Sequence, residues 1–158
     1  MIHLAKELAG QFREVHLTGD WVSTTSLKTQ LEDLTWQQAT NRIGAHNTIA
    51  ALAFHLNYYI AGIIQVLQGG PLDIHDRYSF DAPAIRSAED WDLLRSKLWA
   101  DAEQFAALVE AMPASDLHLP FADEKYGSNY RNINAMIQHI YYHLGQITLL
   151  KKLVIQPL

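Results

Sequence analysis

Residues 136–152, MIQHIYYHLGQITLLKK, place apolar side chains at Met136, Ile137, Ile140, Leu144 and Ile147. Steps of three and four residues mark one face of a helix rather than a strand. At about 100° per residue, with Ile133 at zero, His143 falls at about −80° and His139 at about −120°, along one edge of that stripe. Gln146 lies beside them at about −140°. The question is whether the two histidines are core residues, a surface pair or half of a metal site.

Working back from this helix, expected over 132–154, three further long segments carry the same periodicity, and no alternating run reads as a strand. The first spans about 2–18 and ends at Gly19. The second starts near Asn47 or Thr48, which can accept from free N-terminal amides, and stops at Gly69, Gly70 and Pro71. The third starts at Ser87, with Asp90 three residues on, and runs to about 111 before Pro113. Short helical pieces are expected at Ser26–Leu31 and Thr35–Arg42. This predicts one all-α domain over 1–158, a four-helix bundle with long crossover connections. Loops of such length in a compact helical domain are more often functional than idle.

On the second helix, Leu52, Ala53, Leu56, Ile60, Ile63 and Leu67 form the apolar stripe. With Ile49 at zero, His55 falls at about −120° and Tyr59 at about −80°. Two helices therefore carry histidine on matching edges. Imidazoles at i and i+4 can share one ion, and a third from a facing helix makes a three-nitrogen site with open positions. The alternatives are core histidines that hydrogen-bond locally, or an ion that only pins two helices. The other five histidines, His3, His16, His46, His75 and His118, read as surface or locally bonded residues. Of these, His46, or else Asp73, could close a fourth position. Tyr59 and Gln146 are candidates for orienting ligands or substrate, and the loop FADEKYGSNYR (121–131) could bring Asp123, Glu124, Tyr126 or Arg131 to the site.

Composition removes several classes. The 158 residues include no cysteine, so disulfides, thiolate zinc sites and a cysteine nucleophile are excluded. A net charge of −5 with no basic run argues against nucleic-acid binding. The N-terminal segment lacks an export pattern, so the cytoplasm is expected. TIAALAFHLNYYIAGIIQVL (48–67) is amphipathic and contains His55, Asn57 and Gln65, so no membrane span is expected. No Glu-x-x-His occurs, which speaks against a carboxylate-bridged di-iron centre, and no His-Glu-x-x-His, phosphate loop or serine elbow is present.

NTIAALAFHLNYYI on the second helix, followed by a long crossover and HIYYHLGQI running into LLKK on the fourth, resembles the DinB-like (damage-inducible) superfamily of metal-binding four-helix bundles. The likeness covers essentially the whole chain. WDLLRSKLWADAEQFAALVEAMP and KYGSNYRNINAMIQHIYYHLGQI look much like a subgroup without an assigned reaction. The resemblance implies a divalent ion such as zinc or nickel on His55, His139 and His143, and homodimers. It also implies chemistry akin to thiol transferases that use bacillithiol or mycothiol, or to a thiol-dependent maleylpyruvate isomerase. One position departs from the pattern: Leu144 stands where many relatives carry a basic residue. The expected function is a metal-dependent transferase or hydrolase acting on a small molecule, with a low-molecular-weight thiol as possible co-substrate. The alternative is a non-catalytic dimeric bundle acting as a binding or stress protein.

Overall fold

The computed structural model describes residues 3–155. Residues 1, 2 and 156–158, which the expected domain includes, lie outside the described residues, as does the start of the first helix at residue 2. Helix α1 (Leu4–Arg13) continues as a π-helical turn over Glu14–Thr18 and stops at Gly19, whose φ is 75°. Two short helices follow, α2 (Leu27–Leu31) and α3 (Trp36–Thr40), then the long α4 (Ile49–Leu67), α5 (Ala88–Glu110) and α6 (Asn129–Ile155). No strand forms among the described residues.

Side-chain caps set most of the starts. Hydroxyls of Ser26, Thr35, Thr48 and Ser87 accept from the backbone N–H three residues on in α2, α3, α4 and α5. Each such cap is worth about 1 kcal/mol. The fourth long helix begins three residues earlier than the periodicity suggests. The Ser128 hydroxyl accepts from the Arg131 N–H, and the Asn132 side chain donates to the carbonyls of Tyr126 and Ser128. The first helix departs more: past Arg13 it widens to a π-turn, so its last stretch is not the regular helix expected over 2–18.

The long helices form a ring in which α1 packs on α5, α5 on α4, α4 on α6, and α6 back on α1. Phe12, Leu56, Ile60, Phe105, Ile133 and Ile140 are fully buried at its centre, each burial contributing about 1.5–3 kcal/mol. Trp91 of α5 is also buried, and its indole N–H donates to the Leu34 carbonyl at 2.9 Å, tying the α2–α3 connection to the bundle. Among the described residues, α4 is the one helix long and apolar enough to cross a membrane. Over half of that window is buried against the other helices.

The crossover between α4 and α5 is fastened to α4. The Tyr58 hydroxyl accepts from the His75 N–H at 2.9 Å and donates to the His75 carbonyl at 3.1 Å. At Gly62 the Ile74 side chain comes so close that a β-carbon there would sit 2.5 Å from it. This loop and the α4–α6 cleft frame the site.

Candidate metal centre

His55 lies one and a half turns into α4, and His139 and His143 lie one turn apart on α6. The His139 Nε2 is 3.2 Å from that of His55 and 3.0 Å from that of His143. One ligand nitrogen from each of the three lies within 4.8 Å of the others. Bonds of about 2.0–2.1 Å to a tetrahedral ion would put such nitrogens about 3.3 Å apart. The two distances to His139 match that spacing, and the third pair lies within 4.8 Å.

Hydrogen bonding among the rings cannot account for this geometry fully. The His143 Nδ1–H donates to the Gln146 Oε1 at 2.7 Å, so the His143 Nε2 carries a lone pair. A single proton on the His139 Nε2 would have to serve both neighbours. The His55 Nδ1 is buried without a hydrogen-bond partner of good geometry, although the Ser79 backbone acts on the ring to favour its protonated form. Three lone pairs gathered in a half-buried pocket suit a cation.

Electrostatics keep the rings neutral. Burial lowers the pKa of His139 to about 4, helped by the neighbouring His143 and His55. Burial also lowers His55, with His143 adding to it and Ser79 and Asp76 opposing. His143 is lowered by burial and partly restored by Gln146. All three are thus ready to donate lone pairs at neutral pH.

Aromatic rings wall the trio. Phe80 stacks on His55 with centroids 4.2 Å apart and planes 14° from parallel. Tyr142 meets His143 edge-on at 4.9 Å. Tyr59 lies edge-on to both His55 and His139, at 5.1 and 5.3 Å, and its hydroxyl donates to the Asp76 Oδ1 at 2.9 Å. Burial, and then Asp76, raise the pKa of that hydroxyl. Because His139 is only half-buried and both Phe80 and Tyr142 are exposed, the centre opens to solvent.

The sequence model of a family described as the DinB superfamily matches residues 19–147, a span that holds all three histidines. The chain belongs to the DinB superfamily. No curated protein and no solved structure matches it.

In this DinB-superfamily chain, Tyr59 and Gln146 stand where the helical wheel puts them, one against two rings of the trio and one bonded to the third. Neither His46 nor Asp73 closes the cluster: His46 is exposed, and Asp73 is held by the His75 Nε2 at 3.0 Å. In the 121–131 loop, Phe121 and Tyr126 line the groove next to the trio, whereas Asp123 accepts from the Lys125 N–H and Arg131 packs on Gly127. The groove also contains Asp76 and Arg77 of the crossover, which no motif singles out. His16 is the clear correction. It is fully buried, with neither ring nitrogen hydrogen-bonded, rather than surface-exposed or locally bonded. It stacks on Phe12 at 5.4 Å and meets Trp99 edge-on. Its place four residues after the buried Phe12, itself four after Leu8, was the available signal.

Proposed function

We propose that this protein is a divalent-metal-dependent enzyme acting on a small molecule, with thiol transfer and hydrolysis the reactions it suits. The convergence of three neutral Nε2 atoms from α4 and α6 carries the reading. His55, His139 and His143 would hold a divalent ion, which would supply Lewis-acid chemistry, making a water or thiol more acidic. Zinc and nickel both accept imidazole nitrogen.

The chain's own residues do the rest. Gln146 holds the proton on the His143 Nδ1 and so keeps the Nε2 lone pair directed inward. Tyr59 stiffens the wall between His55 and His139 and orients Asp76 by its hydrogen bond. Asp76 is the carboxylate on the walls of the adjoining groove, and we assign it the proton given up by the nucleophile. Phe80 and Tyr142 shield the rings on opposite helices. For thiol transfer the sulfur must come from a small thiol, because the chain has no cysteine.

A second reading, a homodimer in which the ion only pins α4 to α6, is favoured by one observation: Tyr142, Leu149 and Leu153 expose an apolar stripe on α6. The deciding experiment is elemental analysis by mass spectrometry on tag-free protein, wild type beside His55→Ala and His143→Ala. About one divalent ion per chain, lost in both variants, supports the centre and justifies screening thiol-dependent and hydrolytic substrates. No ion, and no uptake of added zinc or nickel, overturns it.

A further inference from the structure

A groove of about 680 Å³ adjoins the trio, between α4 and α6 and beneath the crossover. Tyr59 is its common wall with the metal centre. On α6 its lining begins at Met136, one turn before His139, and reaches Asn132, about 10 Å from His139 along the helix axis. That length suits an extended small molecule with one end at the trio.

Among the described residues, Arg77 is the only lysine or arginine on the walls of this groove. Its guanidinium lies over the Tyr78 ring, 4.5 Å from the centroid, and among the described residues it makes no ion pair or hydrogen bond. The other charged or titratable groups that the crossover gives to the groove are engaged: Asp76 with the Tyr59 hydroxyl, His75 with Asp73. A guanidinium without a hydrogen-bond partner has its N–H groups free, and their fork matches a carboxylate in a two-pronged hydrogen bond.

We infer that the groove takes a small, elongated carboxylate, its acid group held by Arg77 and its reacting end at the histidine trio. The inference rests on the trio being the reacting centre, and it makes Arg77 the residue that selects anionic over neutral substrates.

The test uses cobalt-loaded protein and two probes of equal length, 6-mercaptohexanoate and 6-mercaptohexan-1-ol, followed by the absorption that sulfur produces on binding cobalt. The acid is expected to bind about three- to tenfold more tightly than the alcohol. Arg77→Gln should abolish the preference by weakening the acid alone, and Arg77→Lys should keep part of it. Arg77 is exposed, so these variants fold. Equal binding of the two probes to wild type, or a preference that survives Arg77→Gln, overturns the inference while leaving the metal centre intact. Failure to take up cobalt defeats the metal reading instead. The inference is then decided on metal-free, ¹⁵N-labelled protein titrated with hexanoate. Saturable amide shifts at Asp76 and Tyr126 that vanish in Arg77→Gln support it, and their absence overturns it.

Discussion

Replacing Gln146 by Leu keeps the bulk of the side chain and removes one acceptor. In the wild type that acceptor is the Oε1 atom, 2.7 Å from the His143 Nδ1, in a part-buried position on the same helix. A neutral imidazole carries one proton. With Gln146 present that proton sits on Nδ1; with Leu it is free to move to Nε2, where it would block the lone pair. The loss combines a partly buried hydrogen bond, about 1–2 kcal/mol, with the bias between tautomers. Partners of this kind support metal affinity by about 10- to 100-fold, or about 1.4–2.7 kcal/mol. The assay is competition between protein and a chelator of known zinc affinity at pH 7.5. Gln146→Leu should weaken zinc by that factor while the metal-free protein loses no more than about 2 kcal/mol of stability. Gln146→Glu, which keeps an acceptor and makes it anionic, should bind at least as tightly as wild type. Unchanged affinity in Gln146→Leu would refute the argument that this hydrogen bond sets the His143 tautomer.

Three further outcomes are expected. The buried His16 ring ionises only near pH 3, because burial strips its charged form of water. Its folded pKa lies below the unfolded value near 6.5, so its contribution is intact above pH 6.5 and is lost as pH falls toward 3. Between pH 7 and 4.5 this ring alone costs about 2–3 kcal/mol. His16→Phe should remove that loss in paired urea titrations, and an identical pH dependence in both proteins would rule the account out. Zinc affinity should hold from pH 8 to 6 and fall as pH approaches 4, where His139 takes up a proton. A fall centred near 6.5 would mean that the trio is not desolvated. Gly19→Ala places a β-carbon 2.6 Å from the Thr25 carbonyl carbon at a φ of 75°. It should cost at least about 2 kcal/mol, lowering the melting temperature by about 4–8 °C, and a calorimetric scan showing no change would contradict this turn geometry.

Much of this was legible in local spacing. The stripes through Ile49–Leu67 and Ile133–Ile147 set the faces of α4 and α6, and the wheel angles of His55, His139 and His143 brought the three onto edges that the bundle turns toward each other. Caps at Thr48 and Ser87 could be read because a hydroxyl three residues before a free amide acts locally. The π-turn after Arg13 was not legible, since no residue in Glu14–Thr18 signals it locally; the turn packs against α2, α5 and α6. Asp76, Arg77 and Phe80 were also hidden: they sit in an irregular loop with no periodicity.

By itself, then, the sequence determined the helices, their buried faces and the donor chemistry, because these follow from interactions within a few residues along the chain. Only the tertiary structure decided that the His55 nitrogen stands 3.2 Å from that of His139, 84 positions away, and that Tyr58 and Tyr59 bind the crossover beside them. Those distances depend on how α4 meets α6 and where a loop comes to rest. That outcome is set by packing of the whole core and has no local signature.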